Sequence, residues 1–146
     1  MTQRPALAYS YDSNLIDLLE AEHQELGSDC DLIFEYIKNK NFTELNKTFK
    51  RFSSLLQIHW TNERKMYMYL ELVISKSDGR YRDTRSEMRS ISSSISSAIN
   101  LHTNVPISQE TLKVFKNDFS ILTKALIDRI RYEEKYLFEE YTSHTS

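Results

Sequence analysis

At 146 residues, with 19 basic and 21 acidic side chains and a net charge of -2, the chain suits one domain with a substantial core. It lacks the basic excess of a nucleic-acid binder or of a protein drawn to anionic membranes. Two glycines and two prolines argue against many strands joined by tight turns, the single Cys30 excludes an intramolecular disulfide, and no run approaches the roughly 20 apolar residues that span a bilayer. The N-terminus, with Pro5 and Asp12 and no long apolar run, does not read as a signal peptide, so a cytoplasmic protein is expected.

Four stretches space their apolar residues by alternating threes and fours, the pattern that keeps one stripe of a helix turned toward a partner. The first runs from about Ser13 to Lys38, with the stripe Leu15, Leu19, His23, Leu26, Cys30, Ile33 and Ile37, in which Cys30 reads as a small buried hydrophobe. The second, from about Thr43 to Ile74, aligns Leu45, Phe49, Phe52, Leu56, His59, Glu63, Met66, Leu70 and Val73. Gly79 and its polar neighbours break the chain before a third helix with Tyr81, Thr84, Met88, Ile91, Ile95 and Ala98. Ser90, Ser92, Ser93, Ser94, Ser96 and Ser97 weaken that helix because their hydroxyls compete for backbone groups, yet Ile91, Ile95 and Ile99 recur every fourth residue. These serines read either as a solvated face or as a close-packing surface for another chain. Beyond Pro106, the fourth helix carries Leu112, Phe115, Phe119, Leu122, Leu126, Arg129, Glu133 and Tyr136, with Ser108 as the expected N-cap. Short links make sequential helices antiparallel. An all-α, up-down four-helix bundle is therefore predicted over residues 12–141, with a frayed polar tail from Thr142 to Ser146.

His23, His59, Glu63, Thr84, Arg129 and Glu133 interrupt the apolar stripes. His59 and Glu63 are four residues apart, as are Arg129 and Glu133, so each pair shares a helix face. His23 lies about ten residues from the start of its helix, Glu63 about eleven from the end of its own and Glu133 about eight from the end of the fourth. Those three ends adjoin in an up-down bundle. At about 1.5 Å per residue the three groups share a layer roughly 12–16 Å down, with His59 and Arg129 one turn deeper and Met88 facing the layer from the third helix.

Two carboxylates inside an apolar bundle are costly unless each is paired or bound to a cation. Two imidazoles and two carboxylates offer nitrogen and oxygen donors suited to iron, manganese or zinc. Other arrangements stay open. Arg129 could neutralise a carboxylate by a bidentate contact while the histidines stay neutral, His59 and Glu63 could form an intrahelical hydrogen bond, and His23 could be a satisfied core histidine. Met88, a soft thioether, reads as core packing rather than a ligand. Glu20 and His23 show the Glu-x-x-His spacing of di-metal carboxylate bundles, but such a site needs a second copy and further glutamates.

In combination, the segments EHQEL, HWTNE, EMRSI and RIRYEEKYLF resemble the hemerythrin-like, or HHE cation-binding, family over roughly residues 12–141. The resemblance implies an up-down bundle that typically holds two bridged irons. Its ligands are a histidine on the first helix, His-x-x-x-Glu on the second, a histidine on the third and His-x-x-x-Glu on the fourth. His23, His59, Glu63 and Glu133 match by residue type, whereas Met88 and Arg129 stand where the third-helix and fourth-helix histidines are expected. Since the family's first-helix and second-helix histidines serve one iron and the other two histidines serve the second, the resemblance implies one intact metal position and one ion per chain. Arg129 would put positive charge near the other position, and reversible dioxygen binding by an iron pair is not expected.

The expected function is non-enzymatic metal binding or sensing, with iron as the implied ion. The alternative is a metal-free bundle acting as a regulatory protein-interaction module, a class that includes regulators resembling anti-sigma proteins. A ferritin-related di-metal oxidoreductase would need more carboxylates than the stripes supply. Neither a nucleic acid nor a membrane is an expected partner.

Overall fold

The computed structural model describes residues 10–74 and 80–143, and the side chains of these except 73–74 and 80–85. The described residues form an all-α, four-helix bundle with helices in up-down order. Helix α1 (Leu15–Asn39) is followed by α2 (Phe42–Tyr69), α3 (Arg80–Asn104) and α4 (Leu112–Tyr132). Helix α2 runs on into a π-helical turn, Leu70–Ile74, and α4 continues through another, Glu133–Leu137, into the short α5 (Phe138–Thr142). No helix among the described residues is long and apolar enough to cross a membrane.

The whole predicted α1 stripe, from Leu15 to Ile37, is buried. Lys40 then enters the left-handed region at φ 55°, and the Asn41 side chain accepts from the Glu44 N–H at 3.3 Å. This two-residue reversal turns α2 antiparallel to α1, and a bidentate contact from Arg51 to Asp29, 2.6 Å at its shorter arm, ties the two together. The link from α3 to α4 is bracketed by Asn46 of α2. Its amide accepts from the Ile107 N–H at 2.8 Å and donates to the Ile107 carbonyl at 2.9 Å.

In α3 the buried line is Met88, Ile95, Ile99 and His102, so Ile99 takes the inward position expected of Ala98, which is half-buried. Ser90, Ser93, Ser94 and Ser97 are exposed and Ser92 and Ser96 half-buried, a largely solvated face. A 2.7 Å contact between His102 Nε2 and Asp118 Oδ2 joins α3 to α4. The N-cap of α4 is Thr111 rather than Ser108. The Thr111 hydroxyl is occupied with the link itself, accepting from the Ser108 N–H at 2.9 Å. Cys30 is buried, and burial pushes its thiol up to about 12, which leaves it an inert core group.

Tyr136, expected in the α4 stripe, is exposed, and Leu137 is buried in its place. The π-helical turn supplies the reason: i→i+5 bonding adds a residue to the turn and moves the inward position from 136 to 137. At the C-terminus Thr142 closes α5 and the Ser143 N–H bonds to Glu139 O at 2.9 Å, so the first two residues of the expected frayed tail are hydrogen-bonded. The break at Gly79, the side chains of Val73, Tyr81 and Thr84, and the tail beyond Ser143 lie outside the described residues.

Among the described residues the core forms two clusters. The larger includes Leu26, Ile33, Phe49, Phe52, Phe115 and Phe119, and the smaller Leu19, Met66, Tyr67, Met88 and Phe138. Trp60 packs against both, and a buried polar layer lies on the stripes between them.

Candidate metal centre

Four buried side chains meet in that layer. One donor atom from each of His23, His59, Glu63 and Glu133 lies within 4.8 Å of the others. Helix α1 supplies His23, one turn beyond Leu19. Helix α2 supplies His59 and Glu63, whose Nε2 and Oε2 are 3.0 Å apart. Glu133 opens the π-helical turn after α4 and brings Oε1 to 3.4 Å from His23 Nε2. The two imidazole rings are 4.7 Å apart in an edge-on arrangement, and His23 stacks on Phe138.

Each histidine is oriented from behind by a carboxylate. His59 Nδ1–H donates to Glu22 Oε1 at 2.8 Å, and Glu22 is itself held by Asn62 at 2.6 Å. His23 Nδ1–H donates to Glu134 Oε2, also at 2.8 Å. A donor hydrogen bond from Nδ1 fixes the tautomer that leaves a lone pair on Nε2, the arrangement in which histidines hold metals. Both Nε2 atoms therefore face carboxylate oxygens, and His23 Nε2, His59 Nε2 and Glu133 Oε1 have no hydrogen-bond partner. Buried electron-rich atoms in that state are costly, and a cation among them satisfies all three at once. The donor set fits a borderline or hard divalent ion such as iron.

The other oxygen of Glu133 is occupied. Tyr67 Oη donates to Glu133 Oε2 at 3.0 Å and accepts from Arg129 Nη1 at 3.2 Å. Burial and the neighbouring carboxylates push the Tyr67 phenol well above its usual range, so it stays a donor. Arg129 thus reaches Glu133 through Tyr67, not by the direct bidentate pairing weighed from the sequence, because the tyrosine of α2 stands between them. The guanidinium also lies 5.7 Å from the Tyr132 ring. Met88 is buried in the smaller core cluster. Glu20, of the isolated Glu-x-x-His spacing, is exposed.

Burial raises both inner carboxyls, Glu63 to about 7 with partial relief from the Arg129 charge, and Glu133 to about 8 with the Glu63 charge adding to burial. Between the unfolded value near 4.5 and these raised values, the folded metal-free chain holds more protons than the unfolded one, so its stability falls as pH rises through that window and levels off above it. A cation held by these carboxylates would have to displace the same protons, so its affinity is expected to rise across the same window. Denaturant unfolding at pH 5 and pH 8, with and without metal, checks both. The metal-free midpoint is expected to drop with pH while the gap between the loaded and metal-free midpoints widens.

Glu22, Glu134, Asn62 and Tyr67 escaped the reading of the stripes. Only Tyr67 left a usable signal, four residues after Glu63 on the same face.

The model of the hemerythrin HHE cation binding domain matches residues 14–141. No curated protein and no solved structure gives a significant match. The cluster of His23, His59, Glu63 and Glu133 lacks the full two-iron ligand set. By a match that spans most of its length, on a four-helix bundle with four inward His and Glu side chains, the chain belongs to the hemerythrin HHE cation-binding family.

Proposed function

We propose that this hemerythrin-like domain, residues 12–141, binds one cation per chain through His23, His59, Glu63 and Glu133 and serves as a non-enzymatic metal-binding or sensing module of the cytoplasm. Iron is the first candidate, with manganese and zinc compatible with the same donors. One observation carries the reading: three buried donor atoms, His23 Nε2, His59 Nε2 and Glu133 Oε1, converge without a hydrogen-bond partner. The limit of one ion rests on the opposite side of Glu133. Its Oε2 already accepts from Tyr67, Arg129 has no lone pair to give, and Met88 offers only a soft thioether.

A metal-free bundle acting as a regulatory protein-interaction module is the second reading. Its support is the raised protonation of Glu63 and Glu133, which leaves the layer less charged near neutral pH without any cation. Anaerobic reconstitution with ferrous iron, followed by elemental analysis and titration, separates the two. Saturation near one ion per chain is expected. Two tightly held ions would contradict the half-site, and no uptake of iron, manganese or zinc would favour the empty bundle.

A further inference from the structure

The polar layer also borders a groove. Between α2 and α3 a cavity of 440 Å³ is lined by Glu63 and Tyr67, the second of which is bonded to Glu133. Its volume falls within the range of small-molecule sites, and its walls combine aromatic and thioether side chains with polar and charged ones. Trp60, half-buried and packed against both core clusters, contributes a fixed aromatic surface. Met68 and Met88 add unbranched thioethers that adapt to a ligand's shape. Two arginines outnumber the one carboxyl on the lining. Arg64 of α2 and Arg89 of α3 are both exposed on the groove, and neither has an ion-pair partner among the described residues. The single carboxyl on the lining, Glu63, is buried, with Oε2 3.0 Å from His59 Nε2.

We infer that this groove binds a small organic carboxylate with a flat apolar body, its charge held by Arg64 and Arg89 and its body against Trp60. Guanidinium groups match carboxylate oxygens with paired N–H donors, and an aromatic wall favours a planar ligand at little entropic cost. Metal and carboxylate would share Glu63 and Tyr67 as neighbours. The carboxylate is then an input to the sensor proposed above, and to that extent the inference rests on that reading.

Trp60 is the single tryptophan of the sequence, so its fluorescence reports the groove directly. Titration of the full chain with benzoate is expected to change the Trp60 emission saturably. Benzamide, the neutral isostere, should bind at least about tenfold more weakly, as should benzoate to the R64Q/R89Q variant, folded by its helicity, since each loses charge-assisted hydrogen bonds. Inorganic phosphate, which lacks the flat body, should bind less tightly than benzoate. Absence of a saturable change, equal binding of benzoate and benzamide, equal binding of phosphate, or unchanged benzoate affinity in the double variant overturns the inference. The titration is run on metal-free and ferrous-loaded protein so that the two readings fail separately. Benzoate binding by a chain that takes up no metal defeats the metal centre and leaves the groove standing, whereas one bound ion without benzoate binding does the reverse.

Discussion

Glu63→Gln is expected to lower metal affinity by more than about a hundredfold, beyond the roughly 10–100-fold that follows loss of an outer partner, because on the proposed ligand set it removes a donor itself. Glu22→Gln should cost about tenfold. The amide oxygen can still accept from His59 Nδ1, but the charge that strengthens His59 as a donor is gone. Glu20→Gln, on the exposed face of α1, serves as the unaffected control. Competition against a chromophoric chelator gives all three affinities, and indistinguishable values across the series would show that the ion sits elsewhere. The same Glu63→Gln change should raise the stability of the metal-free protein at pH 8. There the native side chain is a buried carboxylate whose burial is unfavourable, and glutamine removes that charge while keeping its shape. Opposite signs for metal affinity and metal-free stability are the signature of a residue kept for binding rather than for folding.

The second large effect is the gain of an ion. Met88→His and Arg129→His together supply two nitrogen donors where thioether and guanidinium now stand, and remove a positive charge that repels a cation nearby. The Tyr67 hydroxyl would still occupy Glu133 Oε2 in that double variant, so a second ion is expected to bind only weakly. Adding Tyr67→Phe frees the oxygen, and the triple variant is expected to take up two ions per chain under anaerobic reconstitution, against the one proposed for the native chain. Its metal-free form should be less stable than the parent, since a packed methionine is lost and Glu133 Oε2 is left buried without a donor. Calorimetric stoichiometry with a helicity check decides the matter. A folded triple variant that holds one ion would place the cause of the missing position in backbone geometry instead of in these three side chains.

The bundle itself was legible in the amino-acid order. Every residue of the stripe from Leu15 to Ile37 is buried, as are Leu45, Phe49, Phe52, Leu56 and Met66 of α2, because a helix that hides one face must repeat its apolar residues near every 3.6 positions. His23, His59, Glu63 and Glu133 were legible for the same reason: a charged or ionisable group in an apolar stripe is an exception that needs a partner, and helical rise gives its depth. What lies beside each of them was decided by the tertiary fold. Glu22 precedes His23 in sequence yet orients His59 on another helix, while Glu134, next to Glu133, reaches across to His23. Spacing along one helix fixes which side chains share its face, but contacts between helices depend on their mutual rotation and crossing, which no single stripe encodes. Tyr67 shares a face with Glu63, and only the approach of α4 makes it the link between Arg129 and Glu133. Tyr136 faces solvent and Leu137 the core because a π-helical turn begins at Glu133. A strict 3.6-residue period does not anticipate that extra residue, and it is packing of the assembled bundle that favours it.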